Sequence, residues 1–391
     1  MNPNPSKNSD VHRHTGRLSD FVFDPSVRKP TPDDPHLLGV LEGEGSGPEI
    51  IRATLQVLSA LESSIPRKFD IRFGGEIGIP SELRHGKALC DDVINFCRDI
   101  FRQGGAVLAG PGGGRFVYDL RKQFDLFCKF SPLKVYDELS NAGRMKPEFT
   151  RHADLLLVRE NVSGIYQGQW KELSLSDDGK KAEQSFHYTE KDVRRILRVA
   201  AGIAQHRRGE MTVTVKDAGI PIISQLWRDC TIEIASEAGV KYSFVNIDYA
   251  VYQLLQHAQD LDLIVSPNLF GDILADVGGI LVGSRGITYS GNFSSTGAAV
   301  YQTNHGAAHD LKNTNTANPV GQIFSLAMLL RESFGLAQEA RVIEDAVSAV
   351  WREGWRTADL TESGCRVAGT REIGERIAEK VTAFSKAIDT P

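Results

Sequence analysis

"SPNLFGDILADVGGILVGSRG", residues 266–286, holds two acidic residues inside an otherwise apolar, glycine-rich run. Asp272 and Asp276 are four apart, and on a helix that spacing places both carboxylates on one face, with Cβ atoms about 5–6 Å apart. Two like charges so close repel unless a cation or base lies between them. Hard divalent ions such as Mg²⁺ or Mn²⁺ take oxygen ligands, commonly one or two protein carboxylates completed by water and substrate. An isolated D-x-x-x-D is more often a solvated acidic face. Here Ile273, Leu274, Ile280 and Leu281 are apolar, which argues against a charged surface helix and for a metal site.

Outward from this stretch, short β-rich runs alternate with helical patterns. "LDLIVSP" (261–267) reads as a buried strand, and "NPVGQIFSLAMLLRESFG" as an apolar helix opened by Pro319. "ADLLLVRE" (153–160) and "EMTVTVKD" (210–217) read as strands flanking the helix "TEKDVRRILRVAAGIAQHR", and "ELSLSDDGKKAEQSFHY" (172–188) as an exposed hairpin or arm. Nearer the amino terminus the order is "HLLGVLEG", a helix from Pro48, "FDIRFGG", the helix "DDVINFCRDIFRQ", then "GAVLAGPGGG". Such alternation predicts an α/β fold with a largely parallel sheet in the first third.

The glycines of "GVLEGEGSGPEI" suggest a dinucleotide loop, but Pro48 stands where the third glycine of G-x-G-x-x-G would allow close helix–strand packing. Ser46-Gly47-Pro48-Glu49 reads instead as a helix start with proline in its first turn.

A chain of 391 residues exceeds the size at which single cores stop growing, so two domains are expected. A net charge of −5 indicates neither nucleic acid nor an anionic membrane as partner. No apolar run approaches the roughly 20 residues that cross a bilayer. Five cysteines without a C-x-x-C pair suit reduced thiols, hence a cytoplasmic protein. Residues 1–35, polar and proline-rich, are expected to be a flexible extension.

With its neighbours, "NLFGDILAD…GGILVGSRG" resembles the metal-binding signature of the β-decarboxylating dehydrogenases, the isopropylmalate, isocitrate, homoisocitrate, tartrate and D-malate group. That pattern is close to N-[LM]-[FY]-G-D-I-[LI]-S-D-x-x-x-x-L-x-G-S-x-G. The resemblance runs in order from about residue 37 to about 335. "GEGSGPEI" is similar to the family's G-D-G-I-G-P-E-[IV], and "DLRKQFDLFCKFSPLKVY" to its L-R-K-x-x-x-L-[FY]-x-N-x-R-P-x-K-V-[FY]. "VRENVSGIYQG", "NIDYAVYQL" and "YQTNHGAAHDLKNTNTANP" resemble further family motifs.

The resemblance implies an isopropylmalate-dehydrogenase-like two-domain α/β fold, with a large mixed sheet flanked by helices and no Rossmann unit. It implies a discontinuous large cofactor-binding domain over 36–126 and 283–391, and a small domain over 127–282 carrying the dimer contacts and the arm. In the implied site, Asp272 and Asp276, joined by Asp248 from the other subunit of a homodimer, hold Mg²⁺ or Mn²⁺ against a small hydroxy-acid substrate. Lys216 takes the hydroxyl proton, hydride passes to NAD, and Tyr166 reprotonates the product of decarboxylation. Arg121 and Arg159 grip the substrate's carboxylates. His305, Gly306, Asp310 and Asn318 meet the adenosine part of the cofactor. An aspartate accepts hydrogen bonds from ribose hydroxyls and repels a 2′-phosphate, which favours NAD over NADP; Lys312, two residues on, works the other way.

Several positions depart from the family pattern. Ser131 stands where a third arginine is expected, and Lys129 lies two residues earlier, on the same side if the stretch is extended. Only "GRFVYD" separates "GPGG" from "LRK", which makes Arg115, Phe116 and Tyr118 candidates for recognising the substrate's distinguishing group. Ala218, Gln302-Thr303 and Ala275 replace a family asparagine, an E-P pair and a serine. Metal and proton-transfer positions persist while substrate-contacting ones differ. The expectation is a specialised 2-hydroxy acid with a bulky, aromatic or otherwise non-carboxylate substituent. The alternative is a non-catalytic regulatory or ligand-binding subunit, and whether decarboxylation follows oxidation stays open.

Overall fold

A computed structural model of the chain describes residues 16–28 and 36–388. The strands are β1 (His36–Leu41), β2 (Phe69–Phe73), β3 (Ala106–Ala109), β4 (Cys128–Lys134) and β5 (Asp154–Glu160). Four short arm strands follow: β6 (Gln169–Trp170), β7 (Ser174–Ser176), β8 (Gly179–Lys181) and β9 (Gln184–Ser185). After them come β10 (Glu210–Val215), β11 (Lys241–Asn246), β12 (Leu263–Ser266), β13 (Tyr289–Phe293) and β14 (Ala299–Thr303). The ten of these outside the arm join one sheet in the order β11-β10-β12-β5-β4-β13-β14-β3-β1-β2, and β15 (Trp355–Arg356) and β16 (Arg366–Val367) pair separately.

Both wings of that sheet are parallel, as the alternation of strand and helix requires. Its middle is antiparallel, because β4 opposes both β5 and β13, and β13 opposes β14. The sheet is therefore mixed, with its antiparallel strands at the centre. Strands from 127–282 form one half and strands from the flanking segments the other, in one continuous ladder.

Helices cover both faces. The earlier ones are α1 (Gly47–Glu62), α2 (Ile79–His85), α3 (Asp91–Arg102), α4 (Phe116–Gln123), α5 (Pro147–Thr150), α6 (Glu190–Gln205) and α7 (Pro221–Ala238). The later ones are α8 (Ile247–Gln256), α9 (Asn268–Val282), α10 (Val320–Glu332), α11 (Ala337–Arg352) and α12 (Thr370–Ile388). α6 starts at a reciprocal capping box between Thr189 and Asp192. α10 is buried almost throughout, which is why its sequence reads apolar all round. No described helix is long and apolar enough to cross a membrane. All five cysteines are free thiols.

Part of the amino-terminal stretch expected to be flexible, residues 1–15 and 29–35, lies outside the described residues. The described part, 16–28, does not hang free. Ser19 is fully buried; its N–H donates to the Glu332 carboxylate at 2.9 Å and its hydroxyl to the Glu332 carbonyl at 3.0 Å. Val22 enters the core, the Phe21 ring lies 5.2 Å from that of His206, and Asp24 N–H donates to Ser295 O at 2.8 Å. Leu18 and the consecutive apolar run Phe21, Val22 and Phe23 pack on the core that the folded sheet and helices create.

Candidate active site

Lys129 on β4 sits directly across from Arg159 on β5, and side chains at opposed positions of an antiparallel pair share a face. Both are buried, at 3% and 1% exposure. Over them lies α9. A Cβ on Gly271 would fall 2.8 Å from Arg159 Cγ, and one on Gly278 2.5 Å from Leu133 Cδ2. Glycines seven apart thus let the helix lie flat on the two strands, and this close approach sets its acidic residues above the arginine.

Arg159 uses its whole fork. Nε and Nη2 donate to Asn268 Oδ1 at 3.1 and 2.7 Å, and Nη1 donates to Asp272. The other Asp272 oxygen accepts from the Tyr166 hydroxyl at 2.8 Å. Burial by itself raises the Asp272 carboxyl, but the charges of Arg159 and Lys129, the Tyr166 bond and Arg121 outweigh it and hold the pKa below the ordinary value. Burial, then the charge of Asp272, pushes the Tyr166 phenol up, so it stays protonated.

α4 supplies the facing wall. Arg121 is buried, and burial first, then repulsion from Arg159, lowers it to about 9. Lys129 lies well below the ordinary lysine value for the same reasons: burial, then Arg121 and Arg159. Among the described residues, no hydrogen bond or ion pair engages its ammonium group. The Tyr118 ring lies 5.1 Å from that of Tyr166. The Arg115 guanidinium lies 5.4 Å from the Tyr118 centroid and 4.6 Å from that of Trp170. Phe116 is fully buried in the core under α4, so it is not a recognition residue. Ser131, also buried, follows Lys129 on the same face of β4.

Asp276, one turn beyond Asp272, pairs with Arg285 at 3.0 Å, and both side chains are half exposed. Two carboxylates on one helix face offer the hard oxygen donors that Mg²⁺ or Mn²⁺ takes. Among the described residues of a single chain, no three acidic, histidine or cysteine side chains gather closely enough to hold a metal ion. Asp248 sits elsewhere, at the start of α8, where it accepts from Lys216 Nζ at 2.7 Å. That pair exists because β10 and β11 run in parallel register, Val215 beside Asn246, so the residues that follow each strand meet. Exposure of the two side chains is 39% for Lys216 and 67% for Asp248. α8 packs against α9, and the two helices leave Tyr249, Tyr252, Ile273 and Ile280 exposed.

The glycine-rich opening loop has a structural task. Gly45 has φ +60°, and a Cβ there would lie 2.0 Å from Ala307 O, so the position demands glycine. Ser46 donates to that same carbonyl from its N–H at 2.8 Å and its hydroxyl at 3.2 Å, and Glu49 accepts from Asn313 and Asn315 N–H at 2.8 and 3.1 Å. The loop therefore braces the turn carrying His305, Gly306 and Asp310. Gly306 and Asp310 are exposed; burial lowers the His305 imidazole. Thr303 Oγ1 and Asn304 Oδ1, just before His305, are buried without a partner, which fits a polar ligand group at this turn. Asn318 is buried and already engaged: Oδ1 accepts from Val320 N–H at 3.0 Å, and Nδ2 donates to Asp359 at 3.1 Å.

Three contributors escaped the sequence reading. Asn268, which splays the Arg159 fork, lay inside the quoted motif; Arg285, which faces Asp276, lay at its end. Trp170 carried no signal, being one aromatic in a polar arm.

A mixed sheet thus carries an acidic helix over a strand pair that presents Arg159 and Lys129 to one face. The family described as isocitrate/isopropylmalate dehydrogenase matches residues 37–377, and the chain belongs to it. It is 34% identical over 362 residues to the 3-isopropylmalate dehydrogenase of Carboxydothermus hydrogenoformans, covering 89% of this chain and 95% of that protein. It is 33% identical over 355 residues to the enzyme of the same name from Bacillus subtilis, covering 87% and 95%. Among solved structures, isocitrate dehydrogenase from Methylococcus capsulatus superposes with a TM-score of 0.77 at 28% identity, covering 89% of this chain and 99% of that one.

Proposed function

We propose that the protein oxidises a 2-hydroxy acid of the malate/isopropylmalate type with NAD and a divalent metal, and that decarboxylation follows. The observation that carries this reading is Asp272, held between Arg159 and Tyr166 with Lys129 and Arg121 turned to the same space. Asp272 and Asp276 fit Mg²⁺ or Mn²⁺ by their donor chemistry, and Asp248 from a second copy would complete the set. When bound, the ion supplies Lewis acidity at the substrate's hydroxyl oxygen and NAD supplies the hydride acceptor. Arg121, Arg159 and Lys129 then bind and orient carboxylate groups. Lys216 receives the hydroxyl proton at Nζ, and Tyr166, protonated at Oη, returns a proton to the carbon that CO₂ leaves. The exposed residues of α8 and α9 suit the homodimer that this division of labour requires. His305, Gly306 and Asp310 would meet the adenosine part of NAD, with Asn318 fixing the turn from beneath.

Ser131 and the Gln302-Thr303 pair favour a specialised substrate over isocitrate or isopropylmalate, and they also suit a second reading, a regulatory subunit that binds ligand without turnover. Mixing the protein with NAD, Mn²⁺ and, in turn, malate, tartrate, isocitrate and isopropylmalate tests these. Rapid turnover of isocitrate or isopropylmalate would end the specialised reading. Ligand binding with no metal-dependent NADH from any hydroxy acid would establish the regulatory one.

A further inference from the structure

The arm grips α4 at two places. Gln167 Nε2 donates to the Tyr118 carbonyl at 2.9 Å, and the Trp170 ring lies 4.6 Å from the Arg115 guanidinium carbon. Arg115 in turn lies against Tyr118, donates to the Tyr166 carbonyl at 3.3 Å and pairs with Asp119 at 3.3 Å. The result is a continuous series, Trp170 to Arg115 to Tyr118 to Tyr166, ending at the hydroxyl that touches Asp272. Arg115 is neutralised by Asp119 and flanked by two rings, so what it adds to the series is a flat, polarisable surface beside Tyr118 rather than a free charge. Cations over aromatic faces and tilted ring pairs each contribute about 0.5–1.5 kcal/mol.

We propose that Trp170 is a positioning residue for substrate specificity: by pinning Arg115 against Tyr118 it builds a stacking wall that selects a 2-hydroxy acid whose distinguishing group is aryl or otherwise flat and unsaturated. This rests on the hydroxy-acid reading of the site. A side group stacked on Tyr118 gains dispersion and quadrupole contacts that a branched alkyl group of similar size does not. If Trp170 is removed, the guanidinium loses its outer support and the wall becomes mobile, while Arg121, Arg159 and Lys129, which hold the hydroxy-acid part, are untouched.

The test compares malate, 3-isopropylmalate and 3-benzylmalate in the intact protein, Trp170→Phe and Trp170→Ala, with binding read by calorimetry in Mn²⁺ alongside turnover with NAD. The expected outcome is a preference for 3-benzylmalate in the intact protein. In Trp170→Ala that preference over malate should fall by roughly three- to tenfold, through KM rather than kcat, and Trp170→Phe should restore most of it. Equal losses for malate and 3-benzylmalate would mark Trp170 as a purely structural support of the arm and overturn the proposal. Failure of the intact protein to prefer 3-benzylmalate in binding would overturn it as well. Trp170-dependent binding of 3-benzylmalate with no NADH formed would instead refute the catalytic reading and leave the stacking wall standing.

Discussion

Two acid–base clusters in this molecule use the same side-chain types to opposite effect. At the junction of β4, β5 and α9, Arg159, Lys129, Arg121, Asp272 and Tyr166 are packed so tightly that each charge state depends on the others. At the ends of β10 and β11, Lys216 and Asp248 form a single ion pair open to solvent. Burial of Arg159, Lys129 and Arg121 makes the difference, although Asp272 at the rim of the cluster keeps 39% of its side chain exposed. A buried charge that loses its partner cannot recruit water, whereas an exposed one does so at little cost. The first cluster is built into the packing of the sheet, whereas the fold does not lean on the second.

Arg159→Ala strains this contrast most. It strips Asp272 and buried Asn268 of their donor together, and the expected loss is about 1–3 kcal/mol of stability, visible as a lowered urea midpoint. Arg159→Lys should not recover it, since an ammonium cannot satisfy two acceptors with a planar fork.

A pH series comes next. Burial pushes Glu160 up to about 7, with the Val162 and Ser163 N–H groups opposing it; burial does the same to Glu332, with the Ser19 N–H opposing it. Both folded values exceed that of an unfolded glutamate, so between about pH 4.5 and 7 the native state binds more protons and their contribution to stability falls as pH rises. The thermal midpoint of the intact protein should therefore drop more between pH 5 and 7.5 than that of Glu160→Gln or Glu332→Gln.

Lys129→Met should leave stability unchanged or raise it by up to about 2 kcal/mol, because a buried amine without a partner is replaced by an apolar chain of similar length. Activity should fall, with KM rising as a carboxylate contact is lost. A clear drop in stability would mean that Lys129 is structural after all.

The smallest change in stability, within about 1 kcal/mol, is expected for Asp248→Asn, with turnover nonetheless lost. Mixing Asp248→Asn with Asp272→Asn protein should restore activity if the acidic set is shared between two copies, since one site of each hybrid is then intact. Absence of any recovery in verified hybrids would confine the set to one chain.

Much of the scaffold was legible in the sequence. Periodicity marked β1, β2, β3, β5, β10 and β12 and the helices α1, α3, α6, α9 and α10, but not β4, β11, β13, β14 or the helices α7, α11 and α12; Pro48 identified the opening loop as a helix start. The loop's second role, bracing the 303–318 turn through Ser46 and Glu49, joins residues more than 250 positions apart and no local pattern encodes it. Phe116 looked like a recognition residue because it sits in a short loop-like run, but that run is the first turn of α4 and faces the core. Residues 16–28 looked mobile because the stretch around them is polar; Leu18, Phe21, Val22 and Phe23 on the core, with Ser19 bonded to Glu332, dock them.

The amino-acid sequence by itself determined which segments become strands and helices and which family they build, because those depend on spacing and on local backbone preference. It also placed Asp272 and Asp276 on one helix face, since both lie within a single turn. Only the tertiary structure decided that Lys129 is buried beside Arg159, that Asn318 is occupied by Asp359, and that Trp170 reaches Arg115. The first follows from antiparallel register, and all three bring together residues that the chain alone keeps apart.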